Sequence, residues 1–118
     1  MQRFTDIKAW QHSHRLALAI YRLTASFPRS EQFGVTSQLR RAAVSVPTNI
    51  AEGAKRLTDR EYERFLNIAE GSLAETQYLL MLSKDLGLAD GPIDTTLEQA
   101  AETAKVLHGL RVKVASMR

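Results

Sequence analysis

Four cations stand at seven-residue intervals near the start of the chain: Lys8, Arg15, Arg22 and Arg29. Seven residues are close to two turns of an α-helix, so the first three would share one helical face and span about 21 Å. A row of that length can bind phosphates along a nucleic-acid backbone without reading the base sequence. The alternative is that these charges form the solvent side of an ordinary amphipathic helix. We predict Lys8, Arg15, Arg22 and Arg40 as nucleic-acid-binding residues, and leave out Arg29 because it follows Pro28.

A second set of polar residues recurs at steps of three and four: Gln38, Arg41, Ser45, Asn49, Glu52 and Arg56. It straddles Pro47, which removes one helical hydrogen bond. Serine and asparagine are poor helix formers, so their side chains here would satisfy freed backbone groups or bond across an interface. Glu52 and Arg56 are also spaced for an ion pair one turn apart. This polar stripe therefore predicts a structural or subunit-interface network, with a ligand site as the alternative.

Several chemistries lack their residues. The chain has no cysteine and no Glu-x-x-His pair, which excludes thiol catalysis, cysteine-ligated metals and the di-metal site of carboxylate-rich bundles. Glycine-rich phosphate loops and nucleophile motifs are missing as well. His14 shares a helical seam with Trp10 and Tyr21, which favours a hydrogen-bonded interior histidine over a metal ligand. We expect no catalytic residue, no metal, no cofactor and no enzymatic activity.

Composition sets the class of protein. A chain of 118 residues with 44% apolar and 25% charged residues is typical of one globular domain, here residues 1–118. No apolar run is long enough to cross a bilayer, and the first residues do not resemble a signal peptide, so we expect a cytoplasmic protein without a membrane partner. The net charge of +3 is uneven, with an excess of cations in residues 1–60 and of carboxylates in residues 61–118.

Helical periodicity recurs in four segments. The first, about Ile7 to Ser26, has two apolar rows, one through Ile7, Trp10, His14, Ala17, Tyr21 and Thr24 and one through Leu16, Ile20, Leu23 and Phe27. The apolar arc is therefore wider than one core seam requires. Pro28 ends this helix, and Ser30 is the predicted N-cap of the second.

The second helix is expected to kink or unwind locally near Ala43 to Pro47 and then to continue, because its periodicity continues beyond the proline. Thr58 and Glu61 have the spacing of a capping box at the start of the third helix, which Gly87 would close. Pro92 suits the first turn of the fourth, whose seam runs from Ile93 to Val114. Short connections predict an all-α, antiparallel up-and-down four-helix bundle.

The stretch from Ser37 to Gly53, SQLRRAAVSVPTNIAEG, resembles the signature of the four helix bundle proteins, also called 23S rRNA intervening sequence proteins. The segments FTDI at 4–7, EQFG at 31–34 and AEGSL at 69–73 also match. The resemblance implies a homopentameric ring. It also extends to the accessory variability determinant of diversity-generating retroelements, a related protein that binds nucleic acid and a reverse transcriptase. The motif positions are Gln38, Arg40, Arg41, Ser45, Asn49, Glu52 and Gly53.

These observations lead to one functional prediction and one alternative. The prediction is a non-enzymatic, ring-forming bundle that associates with RNA or DNA as an accessory protein, because the first half of the chain is basic and carries the Lys8, Arg15 and Arg22 row. The alternative is a self-assembling scaffold that binds a protein client and no nucleic acid.

Overall fold

Four α-helices make up almost the whole chain in the computed structural model, which describes residues 2–118. They are α1 (Lys8–Thr24), α2 (Val35–Ala54), α3 (Asp59–Asp85) and α4 (Ile93–Met117), with short 3-10 turns at Phe4–Asp6 and Arg29–Glu31. The described part of the chain contains no strand. The predicted all-α four-helix bundle is therefore confirmed.

Contacts between the helices define their directions. Between α2 and α3, Gln38 meets Glu75 and Ser45 meets Ser72, so residue numbers rise on one helix as they fall on the other. Helix α3 therefore runs antiparallel to α2. Between α3 and α4, Lys84 pairs with Asp94 and Glu63 with Arg118, so these two helices are also antiparallel.

Helix α1 packs against both α2 and α4 and so completes the bundle. Within residues 2–118, the diagonal pairs α1–α3 and α2–α4 do not pack on each other. The molecule is about 45 Å long and 23 by 20 Å across, so the helices lie side by side along its length. None of the described helices is long and apolar enough to cross a membrane.

The core is one cluster of apolar side chains from all four helices. Its largest fully buried members are Leu16, Ile20, Leu39, Val46, Ile50, Leu66, Leu73, Leu80, Leu107 and Val114. Most buried hydroxyls on the helices are satisfied locally, because they donate to a backbone carbonyl about one turn earlier, as Thr24 does to Ile20 and Ser83 to Leu79, both at 2.7 Å.

Helix α1 buries the Leu16 row and only part of the row that contains His14. Of its large apolar side chains, Leu16 and Ile20 are fully buried, whereas Tyr21 in the His14 row is 45% exposed. His14 is exposed and stacks on the ring of Trp10, with centroids 4.9 Å apart. The expectation of an interior, hydrogen-bonded histidine is wrong, because the Leu16 row offers more apolar area for burial.

The helix ends confirm one predicted cap and correct another. Thr58 Oγ1 accepts a hydrogen bond from the Glu61 amide at 3.2 Å, so α3 starts where the sequence places it. The Glu61 carboxylate does not return to the cap and instead accepts from Arg64 Nε at 3.1 Å. Ser30 is not the N-cap of α2, since it lies in the 3-10 turn and Gly34 holds that position.

Helix α2 continues through Pro47 without a break. Around the proline, Thr48 Oγ1 donates to the Val44 carbonyl and Asn49 Nδ2 to the Ser45 carbonyl, both at 2.8 Å. These side-chain bonds add to the hydrogen bonding around the proline, although neither reaches the carbonyl of Ala43, whose helical donor proline removes. The predicted local unwinding is absent from this helix, and a kink at Pro47 stays a prediction.

Candidate nucleic-acid interface

The cationic row on α1 is on the surface. Lys8, Arg15 and Arg22 are all exposed, and none forms an ion pair within residues 2–118. They lie along one face of a single 17-residue helix, as the seven-residue spacing predicts. Arg29 is outside this helix, in the 3-10 turn that follows it. The row therefore offers three fixed positions of uncompensated positive charge.

Arg22, at the end of the row, also borders a cavity of about 260 Å³ between α1 and the start of α4. Leu23, Gly91 and Pro92 provide much of its apolar lining, and Gln99 adds one amide.

Arg40 has a different environment from the α1 row. Its Nε donates to Thr24 Oγ1 at 2.8 Å, its Nη2 donates to the Tyr21 carbonyl at 3.4 Å, and its guanidinium lies 4.5 Å from the centre of the Tyr21 ring. The side chain is half-buried. Arg40 therefore joins α2 to the last turn of α1, and only part of its guanidinium faces solvent.

The first half of the polar stripe on α2 faces α3. Gln38 Nε2 donates to Glu75 Oε2 at 3.3 Å, the hydroxyls of Ser45 and Ser72 share a hydrogen bond of 2.8 Å, and Asn49 Nδ2 donates to Ser45 Oγ at 3.0 Å. The first two bonds link two helices of the same chain, and the third lies within α2. A shallow groove lies over them, bordered by Gln38, Arg41, Ala42, Ser45, Ser72 and Glu75.

The second half of the stripe does not form the ion pair that its spacing suggests. Arg56 Nε donates to the backbone carbonyl of Glu52 at 3.1 Å, and its guanidinium lies 5.2 Å from the centre of the Phe65 ring. The Glu52 carboxylate is exposed and makes no ion pair with any residue in 2–118. The predicted Glu52–Arg56 side-chain pair is therefore wrong, because the aromatic face and the carbonyl hold the guanidinium instead.

A further group of cations gathers at the end of the bundle where α2 connects to α3. This basic end consists of Lys55, Arg56, Arg60, Arg64, Arg111 and Arg118. Arg60, Arg64, Arg111 and Arg118 border one open cavity of about 520 Å³. Sequence reasoning missed this surface, since Asp59, Glu61 and Glu63 are interleaved with its cations and the two α4 arginines arrive only through folding.

Carboxylates neutralise much of the basic end. Arg111 pairs with Glu70, and Glu63 accepts from Arg118 Nε at 2.5 Å. His108 Nδ1 lies 3.2 Å from the second oxygen of Glu70. The hydrogen bond from Arg64 lowers the pKa of Glu61 and raises that of Arg64 itself. The α1 row differs from this end because no carboxylate in the described part of the chain forms an ion pair with it.

Among residues 2–118, no three histidine, aspartate or glutamate side chains are grouped so that they could hold a metal ion. The fold and surface define an all-α four-helix bundle whose polar residues either brace the helices or present positive charge. The model of the 23S rRNA-intervening sequence protein family matches residues 5–109, so the chain belongs to that family.

This fold recurs in solved structures, one of which is similar over nearly its whole length. It is a protein of unknown function from the S23 ribosomal protein family of Bacteroides thetaiotaomicron VPI-5482, with a TM-score of 0.78 and 22% sequence identity. The alignment covers 87% of the present chain and 94% of the other. No curated protein matches the sequence.

Proposed function

We propose that this protein is a non-enzymatic, RNA- or DNA-associated accessory protein that acts as a ring of several copies. One observation carries the nucleic-acid part: Lys8, Arg15 and Arg22 lie exposed along α1, and none of them forms an ion pair with a carboxylate of residues 2–118. By contrast, Arg64, Lys84, Arg111 and Arg118 each have an acidic neighbour. Uncompensated cations attract a polyanion more strongly than paired ones, because no internal salt bridge has to be given up.

The spacing of the row also suits a nucleic-acid backbone. Lys8 and Arg22 are separated by fourteen residues of one helix, or about 21 Å. Phosphates follow one another along a strand and carry no base identity, so such contacts bind without sequence preference. The α1 row would therefore bind the nucleic-acid backbone, and the affinity would depend on the salt concentration.

The test is fluorescence anisotropy of a labelled, unphosphorylated oligonucleotide over a range of salt concentrations. Changing Arg15 and Arg22 to glutamine removes two phosphate contacts, and the slope of log K against log salt should fall by about 1.4 to 1.8. The matched control changes Lys84 and Lys105 to glutamine, which removes the same charge from α3 and α4. Equal losses in both variants, or binding of the parent that does not respond to salt, would contradict the proposed contacts.

Assembly into a ring rests on apolar surface and on the resemblance, which suggests five subunits. Leu18 and Tyr21 on α1 and Val44 on α2 are 41%, 45% and 40% exposed. Arg40, one turn before Val44, lies on Tyr21, so these side chains form one patch on the α1–α2 face. Burying such a patch between copies would remove apolar area from water.

Light scattering after size-exclusion chromatography measures the assembly directly. We expect an oligomer at micromolar concentration, and the Leu18→Glu variant should dissociate without losing helical content. Val112→Glu is the control, because Val112 is similarly exposed on α4. A parent protein that runs as a monomer would overturn the ring.

The same apolar patch favours the second candidate, a self-assembling scaffold for a protein client. It differs from the first in one measurable respect: assembly without any salt-dependent binding of RNA or DNA. A purified oligomer with no anisotropy change at low salt would therefore select the scaffold.

A further inference from the structure

A polar cavity of about 310 Å³ lies where α1 ends and α2 begins. It is lined by Thr24, Ala25, Phe27, Pro28, Arg29, Gln32, Thr36 and Arg40. A water molecule takes up about 30 Å³ of liquid, so the space is sufficient for a phosphate-sized group together with ordered water. The α1 row does not border this cavity.

Thr36 borders the cavity, and its buried hydroxyl has no hydrogen-bond partner. The residue is only 7% exposed. Among the buried side-chain oxygen and nitrogen atoms of residues 2–118, its Oγ1 is the one without a hydrogen-bond partner. The buried hydroxyls of Thr24, Thr76 and Ser83 all donate to a carbonyl one turn earlier. Thr36 is the second residue of α2, so no helical turn precedes it to supply such a carbonyl.

The surroundings of Thr36 favour an anion over a neutral acceptor. Arg40 uses Nε and Nη2 to brace α1, which leaves Nη1 of its guanidinium for a ligand. Arg29 is exposed on the cavity wall and has no ion pair within the described chain.

Glu31 is the acidic group closest in sequence to this region. Its Oε1 accepts from the Val35 amide at 3.4 Å, so the carboxylate is turned to the start of α2, and Glu31 does not line the cavity. The two arginines on the cavity wall outnumber this one carboxylate. The balance of charge around the opening is therefore positive.

We propose that this cavity binds a phosphate group, with Thr36 donating its hydroxyl proton to one oxygen and Arg40 and Arg29 compensating the charge. The group has two potential sources, inorganic phosphate and the terminal phosphate of an oligonucleotide. The proposal does not depend on the α1 row, which would contact internal phosphates of a nucleic-acid strand.

The site is tested by calorimetric titration with inorganic phosphate. A chloride salt holds the ionic strength constant throughout the titration. Thr36→Val keeps the shape of the side chain but removes the hydroxyl that would donate the hydrogen bond, and it should weaken phosphate binding at least tenfold. Thr36→Ser keeps the donor and should bind within threefold of the parent, and Arg29→Gln should weaken binding three- to tenfold. Equal affinity of the parent and Thr36→Val for phosphate would overturn the site. The site would also be overturned if neither inorganic phosphate here nor the 5′-phosphorylated oligonucleotide described next showed binding above the chloride background.

A second arm identifies the source. Two oligonucleotides of the same sequence, one with a 5′-phosphate and one with a 5′-hydroxyl, are compared by anisotropy. A preference for the phosphorylated end that Thr36→Val abolishes assigns the cavity to a nucleic-acid terminus. Inorganic phosphate binding without that preference assigns it to a free phosphate. The Arg15 and Arg22 variant should leave both results unchanged, which separates this site from the α1 row.

Discussion

Arg40 of α2 lies over the ring of Tyr21 of α1, 4.5 Å from its centre, and donates to the hydroxyl of Thr24 on the same helix at 2.8 Å. One guanidinium thereby holds the C-terminal end of α1 to α2. Arg41, the next residue, is exposed and makes no ion pair in the described chain. Two adjacent arginines consequently have different roles.

Changing Arg40 to alanine should destabilise the protein by about 2–3 kcal/mol, because a cation–π contact and a charged hydrogen bond are lost together. Arg41→Ala should change stability by less than about 0.5 kcal/mol. Urea denaturation followed by circular dichroism measures both. Similar losses for the two variants would show that Arg40 does not brace the helices.

Gly53 and Gly71 should respond in opposite ways to alanine. A Cβ at Gly53 would lie 2.7 Å from Phe65 Cβ and 3.0 Å from Tyr62 Cδ1, whereas nothing lies within 4 Å of one at Gly71. Gly53→Ala should therefore cost about 1–3 kcal/mol through overpacking between α2 and α3. Gly71→Ala should stabilise α3 by about 0.4–1 kcal/mol. Thermal melts of the two variants give the comparison, and a stabilised Gly53→Ala protein would contradict the close approach.

The hydroxyl pair of Ser45 and Ser72 should couple α2 to α3. We expect a double-mutant cycle with alanine at both positions to give a coupling free energy of about 0.5–1.5 kcal/mol. Ser45→Ala alone also removes the acceptor for Asn49 Nδ2, so it should cost more than Ser72→Ala. Denaturation midpoints of the four proteins measure the cycle. Strict additivity would mean that the bond contributes nothing.

The pair of Glu61 and Arg64 predicts an acid dependence of stability. The hydrogen bond from Arg64 is the main cause that lowers the pKa of Glu61 below 4.5. Because the folded-state pKa lies below the unfolded one, the stabilisation is present above the unfolded pKa and is lost as pH falls through the folded pKa. NMR titration of the Glu61 carboxyl should show the low pKa, and Arg64→Gln should return it towards 4.5. An unchanged pKa in Arg64→Gln would contradict this cause.

Local patterns were sufficient to predict the elements of the fold. The apolar period of each segment identified four helices, and Thr58 correctly marked the start of α3. Gly87 follows the end of α3 with φ +68°, a conformation that favours glycine. These features depend on residues only a few positions apart, so the sequence contains all of the information they need.

Contacts between distant residues decided the rest. Because the apolar arc of α1 is broad, the helix could pack in a bundle at more than one rotation about its own axis. Packing against α2 and α4 selected the rotation that buries Leu16 and leaves His14 exposed. The partners of Arg40 and the aromatic partner of Arg56 likewise come from other helices.

The sequence by itself determined the four helices, their order and the spacing of the α1 cations, because each follows from the 3.6-residue period and from local hydrogen bonding. Tertiary structure alone decided which charges are compensated by a different helix. Glu63 and Glu70 reach arginines more than forty residues away, whereas no carboxylate in the described chain pairs with Lys8, Arg15 or Arg22. The physical reason is that ion pairing depends on distance in space, which only the packing of the helices sets.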